Sequence, residues 1–164
     1  MKEYDRERVL AYAHEWAFLR NPKYYDFSQI GGDCTNFASQ CVLAGSGVMN
    51  YTPEHGWFYK SANNRTPSWT GVEFFNSFML REKSSPGPFM RHVDVEEIMP
   101  GDIVQLRFSG KPAFSHCPVV VSVGKYPHPT NILVAAHTYD AYNRPLSTYV
   151  YEQVRYLHVL GVNA

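Results

Sequence analysis

The sequence has little cysteine, no charge imbalance, no long apolar run, and neither repeats nor low-complexity segments. Each absence narrows the reading. Three cysteines, Cys34, Cys41 and Cys117, are too few and odd in number for a disulfide framework, and they leave at least one free thiol. On a shared helix, Cys34 and Cys41 would lie roughly 10 Å apart at about 1.5 Å rise per residue, too far to bridge. Fifteen basic residues balance fifteen acidic ones, so no net field favours nucleic acid or an anionic membrane. No apolar run approaches the roughly 20 residues that span a bilayer, and the first residues lack the apolar core of a secretory signal. The expectation is a soluble, unexported chain without a transmembrane segment, or a domain cut from a longer secreted protein.

What is present suits an ordinary globular domain. The 164 residues are 45% hydrophobic and 18% charged, enough for one domain over 1–164 with a core that needs no metal or disulfide. Aromatic residues reach 15%, with twelve Tyr, which serves either core packing or a groove that grips a peptide or sugar.

Helices come first. The spacing of Val9, Leu10, Ala13, Trp16 and Ala17 predicts a helix from Arg6 to Arg20, capped by Asp5 and stapled by Tyr4 and Val9. A second helix opens after Gly31-Gly32, buries Cys34, Phe37, Ala38 and Cys41, and stops at Gly45. Thr70 to Glu73 reads as a capping box for a third, with Trp69 and Phe74 as staple and Phe74, Phe75, Phe78 and Met79 on its apolar face. The aromatic stretch from Ser46 to Ser68 reads as a long loop. Strands follow: Asp102–Phe108, Cys117–Val123, Ile132–Ala136, and one or two within Thr148–Val159. Helices followed by strands argue an α+β fold, with N-terminal helices packed on an antiparallel sheet.

The chemistry centres on Gly31-Gly32-Asp33-Cys34-Thr35-Asn36-Phe37. Two glycines permit a tight turn and place Cys34 on the first turn of a helix. There the unpaired N–H groups and the helix dipole favour a thiolate, and the same N–H groups can hold an oxyanion. A nucleophilic thiol needs an imidazole to take its proton and return it to a leaving amine. Of seven histidines, only His116 and His137 stand at the edges of apolar strands. A third polar group must orient the base, and His137 is the candidate, with Asp140 and Asn143 behind it. Asp33 caps the helix beside the thiol.

Gly-Gly-Asp-Cys-Thr-Asn-Phe with Ala-Ser-Gln-Cys resembles the amidase-domain family of bacterial proteins, related to the NlpC/P60 and CHAP peptidases. Pro100-Gly-Asp-Ile103, Ser115-His-Cys-Pro-Val-Val-Val121, Ala136-His-Thr138 and Asn143-Arg-Pro-Leu146 match that family in order and spacing. The resemblance implies a papain-like α+β fold of NlpC/P60 type, with Cys34 as nucleophile, His116 as base and His137 as third polar residue. It implies hydrolysis of an amide or peptide bond through a thioester, without cofactor or metal, on a cell-wall fragment or similar short peptide. Gln29 lies close to where papain-like enzymes carry an oxyanion glutamine. For substrate binding, Asp33, Trp57 and Tyr59 are the expected residues, the last two from a groove wall over Tyr51–Trp69; the alternative is that this loop folds down onto the core.

Three other readings use the same residues. A zinc site from Cys34, His116, Cys117 and His137 lacks ligand spacing, since His116 and Cys117 would face opposite sides of a strand. A non-catalytic peptide- or cell-wall-binding module would leave the thiol unused. A transglutaminase-like enzyme would pass the acyl group to an amine.

Overall fold

The computed structural model describes residues 1–82 and 84–164. Helices α1 (Arg6–Trp16) and α2 (Cys34–Ser46) come first. The hairpin β1 (Tyr59–Ser61) and β2 (Asn64–Arg65) follows, then α3 (Pro67–Thr70) and α4 (Val72–Met79). The rest is strand: β3 (Gly87–Val93), β4 (Ile103–Phe108), β5 (Val119–Val123), β6 (Ile132–Ala136), β7 (Ala141–Pro145) and β8 (Tyr151–Asn163). Strands β3 to β8 form one six-stranded sheet in the order β3-β8-β4-β5-β6-β7, antiparallel throughout. The α+β class expected from helices followed by strands is what the chain adopts. Among the described residues, no helix is long and apolar enough to cross a membrane.

Helix α1 begins as its sequence demands: the Asp5 carboxylate accepts the Arg8 N–H at 3.1 Å, and Val9 and Ala13 are buried. It ends at Trp16, short of Arg20, because the chain turns there and Leu19 N donates to Trp16 O. Helix α2 runs past Gly45 to Ser46, and the left-handed stop is Gly47 at φ 66°, whose N–H reaches Leu43 O. Gly45 has another role. A Cβ there would stand 2.5 Å from Val9 Cγ2 and 2.8 Å from Tyr4 Cε1, so its absence lets α1 lie against α2.

The third expected helix is two. Pro67 opens α3, and extended Gly71 (φ −112°, ψ 131°) separates it from α4. The capping box therefore does not form: Thr70 accepts from Arg65, and Glu73 pairs with Arg155. Trp69 is fully buried while Phe74 is 61% exposed, so those two rings make no staple. Strands β3 and β7 lay outside the sequence reading, and β5 starts at Val119 because Pro118 has no N–H to give a ladder.

Alternation splits the sheet into two apolar faces. Ile103, Val119, Val121 and Ala135 pack towards α1 and α2, whereas Val104, Leu106, Val120 and Val134 join Leu146, Tyr149 and Tyr156 on the other side. The amino end of α2 meets this sheet near the start of β5 and the end of β6.

Candidate active site

Gly31 (φ 81°) and Gly32 (φ 100°) turn the chain into α2 through conformations that L side chains rarely adopt. The turn sets Asp33 at the N-cap. The Asp33 carboxylate makes no capping bond to a backbone N–H of its own helix. It holds surrounding elements: Oδ1 accepts Phe27 N and Asn36 Nδ2, both at 2.8 Å, and Oδ2 lies 2.6 Å from His137 Nδ1. The other ring nitrogen of His137, Nε2, donates to Trp16 O at 2.8 Å, using the carbonyl at the end of α1. The ring stacks on Phe37 with centroids 4.0 Å apart. Asp33 and His137 are each 1% exposed.

The turn after β6 completes this network. Thr138 and Tyr139 both have positive φ, near 60°, and Thr138 Oγ1 accepts the Asp33 N–H at 3.1 Å. A β-branched residue in that region is strained, and here the strain delivers the hydroxyl that fixes the N-cap. Asp140 makes two 3.0 Å hydrogen bonds to Arg20, and Asn143 is exposed. Neither touches a histidine through any hydrogen bond described here.

Cys34 stands just inside this turn, 7% exposed. Its Sγ lies 3.8 Å from Thr35 Oγ1 and donates to Ser115 O at 3.7 Å, the carbonyl of the peptide that joins Ser115 to His116. The thiol therefore rests against the backbone of the expected base. Burial pushes the Cys34 thiol up, and hydrogen bonding from Thr35 and the backbone of Cys117 only partly opposes it. The helix start was expected to lower it; in this closed arrangement desolvation prevails.

His116 is 1% exposed, and its Nε2 is buried without a hydrogen-bond partner. Its ring contacts Phe108 and Tyr149, with centroids 5.8 and 5.3 Å away, on the sheet face opposite the α2 cluster. Cys117 lies on the α2 side, where Gln105 Nε2 reaches its sulfur at 3.3 Å. Burial first, then the Arg144 charge, lowers the His116 pKa from 6.5 to about 4. The ring is thus neutral at neutral pH. Its Nε2 and the Cys34 thiol are not hydrogen-bonded to one another.

The structure brings Cys34 to the His116 backbone, and Asp33 to His137; it does not join His137 to His116. Trp57 is fully buried, its Nε1 donating to Ser39 Oγ at 3.1 Å and its ring 4.8 Å from that of Trp69. In this conformation it offers a ligand no surface. Tyr59 is half-buried and accepts the Tyr25 N–H through its hydroxyl. Gln29 is exposed and makes no described contact with Cys34. A broad concavity of about 990 Å³, lined by Lys2, Tyr4, Arg8, Ala44, Gly47 and Gly161 among others, lies at the far end of α2 from Cys34. Among the described residues, no group of three or more His, Cys, Asp and Glu is arranged to hold a metal ion. Tyr149 beside His116, Arg144 over the Tyr149 ring, and the Trp16 carbonyl escaped the sequence reading. Tyr149 and Arg144 reach His116 through tertiary packing, and a carbonyl leaves no mark in sequence.

A buried thiol at a helix start, with a neutral imidazole on the adjoining peptide, has the groups that acyl chemistry requires. The family described as "Putative amidase domain" matches residues 3–160, and the chain belongs to that family, whose description supports amide hydrolysis. The chain is also 36% identical over 141 residues to the uncharacterized protein YhbB of Bacillus subtilis (strain 168), covering 85% of this chain and 43% of that protein. It thus spans less than half the length of that relative. No solved structure matches the chain.

Proposed function

We propose that this domain hydrolyses an amide or peptide bond by a cysteine mechanism on a papain-like fold of the NlpC/P60 and CHAP kind. The observation that carries the reading is the Cys34 thiol, at the amino end of α2, lying against the Ser115–His116 peptide while His116 Nε2 has no partner. The pair rests as thiol and neutral imidazole. Substrate entry has to shift the cover over Cys34 and let the two groups meet, since catalytic hydrogen bonds often tighten only with substrate bound. Then His116 takes the thiol proton, Sγ bonds to the carbonyl carbon, and the π pair moves to oxygen. The Cys34 N–H and its neighbours on the first turn hold that oxygen. Collapse breaks the C–N bond, the amine leaves with the proton from His116, and water cleaves the thioester to acid and free thiol.

His137 is assigned to positioning: it ties Asp33, the residue before the nucleophile, to the end of α1. A cell-wall peptide or a similar short peptide fits a chain without a basic surplus, and an acyl-transferring thiol does not cleave glycosidic bonds, which call for paired carboxylates.

Muropeptides and short peptides, incubated with the protein, should release amino groups without new reducing ends, and Cys34→Ala should abolish the release. Iodoacetamide should label Cys34 ahead of the fully buried Cys41 and Cys117. Labelling should be slow near about pH 6.5 and accelerate as pH rises, because only the thiolate reacts. His116→Ala should cost several orders of magnitude and His137→Ala less. Amine release that survives Cys34→Ala sinks the mechanism, and a cross-linked product in place of a free acid would make the reaction acyl transfer. Normal labelling with no turnover of any amide would leave a binding module.

A further inference from the structure

Tyr149 is a second orphan beside the first. It follows the turn Leu146–Thr148, is 6% exposed, and its Oη is buried without a hydrogen-bond partner. Buried hydroxyls seldom lack a partner, and one that does is a place to look for an absent ligand. Its ring lies against that of His116, 5.3 Å between centroids, so two unpartnered polar groups, a phenol and an imidazole nitrogen, sit on touching rings without bonding each other. The Arg144 guanidinium lies 3.6 Å above the Tyr149 ring, an arrangement that makes the phenol a better donor. Burial holds the phenol proton on against the opposing Arg144 charge, and the Ser115 carbonyl that meets the Cys34 thiol at 3.7 Å belongs to the peptide entering His116, the residue whose ring Tyr149 touches. A group that stays protonated through neutral pH serves as a donor, not as a base.

We infer that the Tyr149 hydroxyl is a catalytic hydrogen-bond donor: with the Cys34 N–H, it holds the oxygen of the carbonyl that Cys34 attacks. The inference rests on the amidase reading above and adds a residue to it. As the Sγ–C bond forms and the π pair moves to oxygen, the O–H bond of Tyr149 shares its proton and keeps it. When the carbonyl re-forms and the C–N bond breaks, the amine takes its proton from His116. Tyr149 is left unchanged, so it affects the height of the barrier and not the proton count.

Tyr149→Phe removes one oxygen and preserves the ring that packs on His116. The expected result is a fall in kcat/KM of roughly 10²–10³, the effect of deleting one oxyanion donor. A peptide aldehyde, which adds the thiol to give a tetrahedral oxyanion-like adduct, should bind correspondingly less tightly. Cys34 alkylation by iodoacetamide should proceed at the wild-type rate, since displacement at a methylene carbon builds no oxyanion. The melting temperature and the acid limb of the pH–rate profile should stay in place. Unchanged kcat/KM overturns the assignment. So does a parallel loss of alkylation, or a displaced acid limb, because Tyr149 would then act through the thiol or through His116. If the wild-type protein is alkylated normally yet hydrolyses no amide, the amidase reading fails and this inference fails with it.

Discussion

Replacing Asp33 in two ways separates its hydrogen bonds from its charge. Asp33 Oδ1 satisfies Phe27 N and Asn36 Nδ2, and Oδ2 satisfies His137 Nδ1, all with donor and acceptor buried. Asp33→Ala takes the partner from Phe27 N and His137 Nδ1 and leaves Asn36 Nδ2 with the Tyr25 carbonyl alone. At about 1–3 kcal/mol for each unsatisfied buried group, with some relaxation, the cost should be about 3–5 kcal/mol. Asp33→Asn can keep every contact: the amide oxygen accepts from Phe27 and Asn36, the amide N–H donates to His137 Nδ1, and His137 Nε2–H still reaches the Trp16 carbonyl. Its cost should be about 1 kcal/mol, mainly from the loosened contact with Arg20, whose Nε lies 3.7 Å from Oδ2. Urea unfolding of the two variants beside wild type measures this, provided the slope is unchanged. In thermal melts the difference should appear at roughly 2–4 °C per kcal/mol for a chain of this size. If Asp33→Asn costs as much as Asp33→Ala, the network depends on an ion pair and the hydrogen-bond account is wrong. If Asp33→Ala costs under about 1 kcal/mol, the turn is held by something else.

Two further outcomes follow from burial. Trp57→Ala should cost about 3–5 kcal/mol and leave KM unchanged in the surviving folded protein, because the ring is core between Trp69 and Phe78; a raised KM with an unchanged melting temperature would return Trp57 to a groove wall. His116 should destabilise the fold as pH falls. Its folded pKa of about 4 lies below the ordinary 6.5, so between those values the unfolded chain binds more protons; up to about 3 kcal/mol is present above the upper value and lost on descending to the lower. Comparing stability at about pH 7 and pH 4.5 in wild type and His116→Phe checks this, and equal slopes would refute it.

The legible parts of this chain were those fixed by neighbours in sequence. Asp5 and Val9 mark α1, and the glycines before Cys34 mark α2, because caps and turns are local chemistry. Local rules failed where a competing local signal intervened, as when Pro67 and Gly71 displaced the helix phase from Thr70. They also failed for Gly45, which reads as a helix stop yet sits inside α2, because its requirement comes from Val9 across the interface. The site divides in the same way. Cys34 and its helix start could be read from seven consecutive residues, and His116 from the strand it precedes. Which group would stand behind each histidine could not, since Asp33 meets His137 and Tyr149 meets His116 through tertiary packing alone.

The position of β8 in the sheet has a bearing on biosynthesis. It follows the other five strands of the sheet in sequence, yet it lies between β3 and β4. Until it arrives, β3 and β4 each offer an open edge to other nascent chains, and the pairings that close them are long-range and slow to form. Docking of β8 also brings Val159 O to Arg6, and Val159 N and His158 to Asp102, which clamps the first helix through Arg6. That helix supplies the carbonyl that holds His137. On a ribosome, then, the cysteine emerges before the strand whose bonds tighten the lattice that seats it.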